Sequence, residues 1–315
     1  MTRPAFAVVV PLHDKGRHIE RALASVAAQT LAPAELIVID DASTDDGPAI
    51  AAAFPGVRLL TRTEPGPGGY AARNAGIRAA STPWIAFLDA DDAWAPDHLA
   101  TLAALIAQEP AAAMVGSGYV EQHPGNRQVR DVYARRHPQA APATFGFDAF
   151  VAEWLSIGEC PVWTSAIAAP RETLLAVDGF PEGRCRRGGD KDLWLRLAHA
   201  GPVTIGTAAT ATYYKDSDNM VTARRHVNSC HCVVPTIDGW LPAAPPARRT
   251  LLKRLRNHET WLYALRTAKT DRVAYASWRG FSLRHDPLRF AALAVLSSPV
   301  GPLLGRLATR LRAGR

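Results

Sequence analysis

Short apolar runs that alternate with helical periodicity most constrain the fold of this chain. Between the first two runs, Ile19, Leu23 and Val26 recur at the spacing of one helix face. Strands that alternate with helices pair in parallel, so the sequence predicts an α/β domain with a mainly parallel central sheet flanked by helices. Ligands of such sheets bind beyond the carboxyl ends of the strands. The four predicted strands are Phe6–Pro11, Glu35–Asp40, Val57–Leu60 and Trp84–Leu88.

The same periodicities continue less regularly beyond residue 92. A helix is predicted over Asp97–Gln108 and a strand over Ala113–Val120. The segment Glu121–Thr144 is rich in Pro, Gly, Arg and His and has no clear period, so we expect a loop there. Helices are expected over Phe147–Leu155 and around the leucines that follow residue 250.

Acidic residues cluster at three places in this pattern. Asp40-Asp41 and Asp89-Ala90-Asp91-Asp92 each follow a predicted strand, and Asp190-Lys191-Asp192 comes much later. One such cluster is often a solvated turn or a helix cap. Two clusters at consecutive strand ends place like charges together, and such charges persist most readily around a cation or a ligand rich in donors.

Ordered motifs through these clusters resemble the family 2 glycosyltransferases with the GT-A fold. The resemblance covers roughly Ala7 to Leu197 and lies in the combination of motifs, each of which is weak alone. The motifs are Val8-Val9-Val10-Pro11-Leu12-His13-Asp14-Lys15, Glu35-Leu36-Ile37-Val38-Ile39-Asp40-Asp41-Ala42-Ser43-Thr44-Asp45-Asp46, Ala72-Arg73-Asn74-Ala75-Gly76, Phe87-Leu88-Asp89-Ala90-Asp91-Asp92, Asp178-Gly179-Phe180 and Asp190-Lys191-Asp192-Leu193-Trp194-Leu195-Arg196-Leu197.

The resemblance implies a hexosyltransferase-like enzyme with a nucleotide-sugar donor, UDP-sugar by default, and a glycan or lipid-linked acceptor. A divalent ion, Mn²⁺ or Mg²⁺, would neutralise the diphosphate leaving group as a Lewis acid. By analogy Asp91 is a metal ligand, and Asp89 contacts the metal or the ribose. Asp41 would accept a hydrogen bond from the base, and Arg73 would approach the base or the diphosphate. Pro11 and Asp14 would lie beside the nucleotide.

The resemblance also implies an inverting transfer, in which a carboxylate takes the proton of the acceptor hydroxyl. The matching position is Asp190. The acidic residue that similar enzymes usually carry just before this base is replaced by Gly189. Asp192 is the fallback as base or acceptor contact, although at the start of a helix its charge could equally serve the helix N-terminus.

Two further parts of the site stay open. Similar enzymes often complete the metal shell with a histidine after a Tyr-Arg pair, whereas this chain offers His226, Asp216, Asp218 or water. Trp163 is a candidate acceptor contact because an aromatic ring suits the apolar face of a pyranose, with core packing as the alternative.

The positive charge of the protein, +7 in total, is concentrated at its C-terminal end. From Pro246 to Arg315 there are 15 Lys or Arg and 3 Asp or Glu, a balance of +12, which leaves −5 for the preceding 245 residues. This distribution argues against a nucleic-acid groove in the main domain. We expect a catalytic domain over 1–241, with a donor half of about 1–115 and an acceptor half of about 116–241. A basic helical tail would follow over 242–315, after prolines that indicate a linker.

The tail also suggests a peripheral membrane contact. Leu304, Leu307 and Leu311 fall on one helical face beside basic residues, a pattern of interfacial helices, with packing on the catalytic domain as the alternative. The N-terminal apolar run is too short for a signal peptide. Four scattered cysteines favour ordinary packing in a reducing compartment over a disulfide framework. The expected location is therefore cytoplasmic, at the inner face of the membrane.

Two rival functions remain open on the sequence. A nucleotidyltransferase would show a glycine-rich, basic phosphate loop after the first strand, and Pro11–Gly16 is not such a loop. A non-catalytic relative would bind a nucleotide sugar without transferring it. Gly189 and the missing histidine favour this second rival, and the presence of Asp89, Asp91 and Asp190 together argues against it.

Overall fold

The computed structural model describes residues 3–138, 140–185, 187–216, 231–268 and 272–299. These residues form two compact units. The first contains the described residues of 1–184 and 189–221, and the second contains those of 185–188 and 222–315. The second unit thus includes the segment from 231 to 241, which the sequence had assigned to the catalytic domain. The two units are described separately below.

The predicted apolar runs form the parallel core of the sheet in the first unit. Strand β1 pairs in parallel with β2 and β4, and β2 pairs in parallel with β3. The side chains of β1 are almost completely buried, because helices cover both faces of a parallel sheet. These strands are β1 (Phe6–Leu12), β2 (Glu35–Asp41), β3 (Val57–Arg62) and β4 (Trp84–Phe87).

Beyond β4 the sheet becomes mixed. Strand β9 (Ile167–Pro170) runs antiparallel between β4 and β6 (Met114–Gln122), and β6 pairs in parallel with β10 (Val203–Tyr214). The α/β prediction is confirmed, but the sheet is mainly parallel only in its first half. The order of its main path is β3-β2-β1-β4-β9-β6-β10-β5. The short strands are β5 (Ala93–Trp94), β7 (Gln128–Arg130) and β8 (Ala143–Phe145).

Eight helices of the first unit accompany this sheet among the described residues. Helix α1 shows why the chain is helical there, since Ile19, Leu23 and Val26 all point into the core. The helices are α1 (Gly16–Ala27), α2 (Gly47–Ala53), α3 (Tyr70–Ala79), α4 (His98–Gln108), α5 (Val132–Arg136), α6 (Phe147–Ile157), α7 (Arg171–Ala176) and α8 (Gly189–Ala200).

The segment predicted as a loop, Glu121–Thr144, is partly ordered into β7, α5 and β8. Asp131 organises this segment. Its carboxylate accepts hydrogen bonds from the backbone N–H of Ala134 at 2.7 Å, as the N-cap of α5, and of Tyr119 at 3.0 Å. The loop prediction was wrong here because one buried cap, rather than apolar periodicity, fixes the short elements.

Helix α8 is attached to the rest of the first unit through a buried ion pair. Asp192 has no exposed surface and accepts from Arg196 Nε at 3.0 Å. Arg196 in turn donates to the backbone oxygens of Val177 and, at 2.7 Å, of Gly179. These hydrogen bonds from Arg196 attach α8 to the turn that contains the Asp178-Gly179-Phe180 motif, and Asp192 of the same helix holds the Arg196 side chain in place.

The same turn is held from the opposite side by helix α3. The Asn74 amide donates to the Phe180 oxygen at 2.9 Å and accepts from the Phe180 N–H at 2.8 Å. Three motifs that are far apart in the sequence are therefore joined through one turn.

The second unit is helical and has its own small core. It contains α9 (Val233–Trp240), α10 (Pro246–Ala268) and α11 (Pro287–Leu296), so the helix predicted from the leucines after residue 250 is confirmed. Trp278, Phe281 and Leu293 pack with Ala264, Ala268 and Val273. Among the described residues, no helix combines the length and apolar character needed to cross a membrane. The predicted interfacial helix at Leu304, Leu307 and Leu311 lies outside the described residues.

The cysteines depart from the expectation of ordinary packing. Cys185 and Cys232 form a disulfide within the second unit, and Cys160 is free. The sequence did not show this pair because the partners are 47 residues apart. The cysteine count therefore no longer supports a reducing compartment. His231 Nε2 lies 3.2 Å from Glu259 Oε2 in the same unit.

We predict that Asp192→Ala lowers the free energy of unfolding by about 3–5 kcal/mol, because Arg196 would stay partly buried without its partner. Asp192→Asn should lose less, since an amide oxygen can still accept from Arg196. Urea unfolding of the full chain measures both. Asp97→Asn is the control, because Asp97 is exposed and its side chain makes no cap hydrogen bond. An unchanged midpoint for Asp192→Ala would show that this pair does not anchor α8.

Candidate active site

The loop after β4 presents two carboxylates and buries a third. Asp92 is buried and accepts from the Ser165 hydroxyl at 2.7 Å and from the Tyr214 N–H at 3.3 Å. The Ser165 hydroxyl also accepts from the Asp89 N–H at 3.0 Å. Burial, followed by the charges of Asp91 and Asp89, raises the pKa of Asp92 well above its ordinary value. Asp92 thus holds the loop, while the Asp89 and Asp91 side chains stay 27% and 17% exposed.

Protein cations neutralise these two exposed carboxylates. Lys15 Nζ lies 2.8 Å from Asp91 Oδ2, and Arg73 forms an ion pair with Asp89. Arg21 donates to the backbone oxygen of Asp91 at 2.6 Å. Neither Lys15 nor Arg21 was among the predicted site residues. Their position just after β1, whose end lies at the same edge of the sheet as that of β4, is the signal that could have identified them.

Arg73 connects the loop after β4 to the predicted base. Its guanidinium donates to the Gly68 oxygen at 3.1 Å and is nearly buried. Burial alone would lower the pKa of Arg73, but the charges of Asp89, Tyr70 and Asp190 outweigh it and raise this pKa. Asp190 is therefore close enough to Arg73 to act on it. The structure brings Arg73 and Asp89 together as an ion pair, and the role of Asp190 stays a prediction.

Asp41 lies at the end of β2 and fixes the predicted base-binding edge. Its carboxylate is buried, pairs with Arg62 and accepts from the Gly66 N–H at 2.9 Å. The Asp41 backbone oxygen lies 2.9 Å from His13 Nδ1. Asp41 is only 2% exposed, so its carboxylate could accept from a ligand only after these contacts rearrange. Pro11, at the end of β1, lies beside Gly69 of the neighbouring loop.

Asp14 joins the loops after β1 and β2. Its carboxylate accepts from the Thr44 N–H at 2.7 Å, and this hydrogen bond lowers the pKa of Asp14. Asp45 accepts from Gly16 N at 2.7 Å and from Gly47 N at 3.0 Å. It satisfies backbone donors at the starts of α1 and α2, which explains an acidic residue at this turn.

The predicted base is the second residue of helix α8, and the residue before it lacks room for a side chain. Gly189 donates its N–H to the Tyr70 hydroxyl at 2.9 Å. A Cβ at position 189 would lie 2.6 Å from the Tyr70 ring and 2.7 Å from Pro181. Glycine rather than an acidic residue stands at position 189 because Tyr70 and Pro181 leave no room for a side chain. It is not by itself a sign that the site has lost its chemistry.

The candidate acceptor contacts, Asp192 and Trp163, are packed against other side chains of the protein. Asp192 is fully buried by its pairing with Arg196, which argues against direct contact with an acceptor. Trp163 stacks on Tyr213 at 4.9 Å and contacts Tyr119 at 4.7 Å, so neighbouring rings already pack against it. Trp194 is buried in the core, as expected.

The oxygen donors suit a divalent ion that is shared with a phosphate ligand. Within the described residues, no group of three or more His, Cys, Asp or Glu side chains is arranged to hold a metal. Asp216 is 53% exposed and lies 3.9 Å from Arg21, whereas His226 and Asp218 lie outside the described residues. Mg²⁺ is commonly held by one or two carboxylates, substrate phosphates and water. Asp89 and Asp91 fit this arrangement.

Known proteins share this architecture. The model of the family described as Glycosyl transferase family 2 matches residues 7–152. Among solved structures, Staphylococcus aureus TarS 1–349 in complex with UDP-GlcNAc superposes with a TM-score of 0.66. The superposition covers 93% of this chain and 80% of that one at 16% identity, so it shows the fold alone.

Curated relatives match over parts of their length. A validoxylamine A glucosyltransferase of Streptomyces hygroscopicus subsp. limoneus is 29% identical over 64% of this chain and 50% of its own length. The succinoglycan biosynthesis protein ExoO of Rhizobium meliloti is 45% identical over 30% of this chain and 28% of its own. A PGL/p-HBAD biosynthesis glycosyltransferase of Mycobacterium bovis is 35% identical over 37% and 47%. The chain therefore spans at most about half of these relatives. Residues 7–152 therefore match glycosyl transferase family 2, and the chain shares the GT-A type of fold.

Proposed function

We propose that this protein transfers a sugar from a nucleotide-sugar donor, by default a UDP-sugar, to a hydroxyl acceptor with inversion. The observation that carries the proposal is the grouping of Asp41, Arg73, Asp89 and Asp91 at the carboxyl ends of parallel strands, where Arg73 pairs with Asp89 and Lys15 pairs with Asp91. This edge is where α/β sheets bind nucleotides. The matched relatives are named for glucosyl transfer, succinoglycan biosynthesis and glycolipid-type products, which supports a role in surface polysaccharide or glycolipid synthesis.

Each residue has one task in the proposed reaction. Asp41 accepts from the base, and Arg73 neutralises a phosphate oxygen once it exchanges Asp89 for the donor. Asp190 accepts the proton of the acceptor hydroxyl as its oxygen bonds to the anomeric carbon. The bond from that carbon to the diphosphate breaks on the opposite side. A divalent ion at Asp89 and Asp91 would supply Lewis-acid stabilisation of the leaving diphosphate.

The Lys15–Asp91 pair makes the metal proposal testable without a substrate. Lys15 Nζ lies 2.8 Å from Asp91 Oδ2, so Lys15 and a divalent ion would compete for this carboxylate. We predict that Lys15→Met binds Mn²⁺ about tenfold more tightly in the absence of nucleotide, a gain of about 1.4 kcal/mol. Asp91→Asn should lose Mn²⁺ binding and, with it, Mn²⁺-dependent binding of UDP.

Calorimetry of the full chain measures these affinities, with Asp97→Asn as the control. UDP binding to the wild-type protein should be weak in EDTA. Equal UDP affinity with Mn²⁺ and with EDTA would overturn the assignment of a metal to Asp89 and Asp91. An unchanged Mn²⁺ affinity in Lys15→Met would overturn the competition between the two cations.

Replacing the proposed base should separate binding from chemistry. Asp190→Asn is expected to bind UDP with Mn²⁺ normally and to transfer sugar at least about a hundredfold more slowly. Its melting temperature should stay near that of the wild type, in contrast to Asp192→Ala. Rates of UDP release from UDP-sugars, with and without sugar acceptors, provide the measurement. Near-normal turnover would remove Asp190 as the base, and absence of turnover in the wild type with every donor would favour the non-catalytic alternative.

Similar enzymes usually carry an acidic residue at the position of Gly189. Because this position lacks room for a side chain, we expect that introducing an acidic residue there slows transfer. Gly189→Asp should slow transfer at least about tenfold and lower the melting temperature by several degrees, because the new side chain would collide with Tyr70 and displace the start of α8. Gly206→Ala is the matched control, since Gly206 is also buried but a Cβ there would lie 3.4 Å from Leu105. Faster transfer by Gly189→Asp would show that the missing acid, and not space, limits this site.

A further inference from the structure

The outer face of helix α11 in the second unit is apolar along its whole length. Leu288 is 83% exposed and Val295 is 47% exposed. They are seven residues apart and therefore lie on the same face of the helix, about two turns from each other. Ala291 and Ala294 lie between them and are exposed as well. Water would normally select polar side chains for such a face. The opposite face, with Phe290, Leu293 and Leu296, packs into the core of this unit.

Exposed apolar side chains are concentrated in this part of the protein. Of the five large hydrophobic side chains that are exposed among the described residues, four lie between residues 275 and 295. Besides Leu288 and Val295 these are Tyr275, at 63%, and Leu283, at 53%. The Tyr275 ring contacts Trp278, which contacts Phe290 of α11, so aromatic packing connects this tyrosine to the helix. We call Tyr275, Leu283, Leu288 and Val295, with the alanines of α11, the apolar surface.

Positive charge borders the N-terminal end of α11. Asn257 of α10 exchanges two hydrogen bonds with Ser282, at 2.9 and 2.8 Å, which places the preceding turn of α10, with Lys253 and Arg254, near Arg284 and the start of α11. The one charged side chain within α11, Arg289, pairs with Asp286 at 3.2 Å and lies over the Trp261 ring. Between residues 272 and 299 the chain has four arginines and a single acidic residue.

The area of the apolar surface and the positive charge beside it favour a membrane over a protein as the binding partner. A ten-residue helix is about 15 Å long and about 10 Å wide, so one face offers on the order of 150 Å². A stable protein interface needs about 800 Å² from each partner. A second copy of this chain would also bring the same positive border against this one. An anionic bilayer has no such area requirement, accepts small apolar side chains between its headgroups and attracts the cations.

We propose that the apolar surface of α11 and its basic border dock this protein on an anionic membrane. Leu283, Leu288 and Val295 enter the interface, Tyr275 lies at the level of the headgroups, and Lys253, Arg254 and Arg284 contact lipid phosphates. The site is distinct from the terminal leucines that the sequence indicated. It also does not depend on the transfer reaction, because every residue involved belongs to the second unit.

Flotation of the full chain with vesicles tests the proposal. The protein should float with vesicles of phosphatidylglycerol and phosphatidylcholine, and at least about fivefold less with phosphatidylcholine alone or in high salt. The double variant Leu288→Gln/Val295→Gln and the triple variant Lys253→Gln/Arg254→Gln/Arg284→Gln should each reduce flotation at least about fivefold. Leu175→Gln is the matched control and should float normally, because Leu175 is 42% exposed but belongs to the first unit.

Three outcomes would overturn the proposal. The first is normal flotation of the Leu288→Gln/Val295→Gln variant together with its loss in Leu304→Gln/Leu307→Gln/Leu311→Gln, which would place the contact in the terminal leucines. The second is self-association without vesicles, measured by sedimentation, that the Leu288→Gln/Val295→Gln variant abolishes. The third is absence of flotation of the wild type. Release of UDP in solution should be the same in these variants, so failure of membrane docking and failure of the proposed activity are distinguishable.

Discussion

Electrostatic repulsion among carboxylates at one edge of the sheet is the constraint on which this structure depends. The parallel strands β1, β2 and β4 end together, and acidic residues follow two of them. The protein neutralises this charge with side chains of its own: Arg62 on Asp41, Arg73 on Asp89 and Lys15 on Asp91. The Arg73–Asp89 and Lys15–Asp91 pairs, whose carboxylates are partly exposed, are ones that an incoming phosphate or cation could exchange. The same contacts that stabilise the free protein therefore define where the donor diphosphate and its ion would bind.

Burial divides the acidic residues into two groups with different tasks. Asp92 and Asp192 are almost completely buried and hold, respectively, the loop after β4 and helix α8. Asp89 and Asp91 remain partly exposed at the site. A buried carboxylate with protein partners fixes geometry, whereas an exposed one can exchange partners. Within the motif after β4, Asp92 thus holds the loop, whereas Asp89 and Asp91 are left accessible for the proposed chemistry.

The second unit has a different physical basis. Its core is small and helical, it is closed by the Cys185–Cys232 disulfide, and it carries both the net positive charge and most of the exposed apolar side chains. Charge and apolar surface together distinguish it from the acidic first unit. The proposed nucleotide site and the proposed membrane contact therefore involve separate parts of the chain.

The sequence by itself determined the strands β1 to β4, helix α1 and the positions of the acidic clusters, because local apolar periodicity specifies elements whose faces are buried. It also indicated Asp89, Asp91 and Asp190 through the order of motifs. It could not show that Asp192 is a buried partner of Arg196, that Lys15 pairs with Asp91, or that Tyr70 leaves no room beside Gly189. It also missed the ordered elements within Glu121–Thr144 and the Cys185–Cys232 pair. Each of these depends on groups that are distant in the chain and meet only when the sheet and helices pack. Tertiary structure alone decided which aspartates are buried and which remain partly exposed at the site.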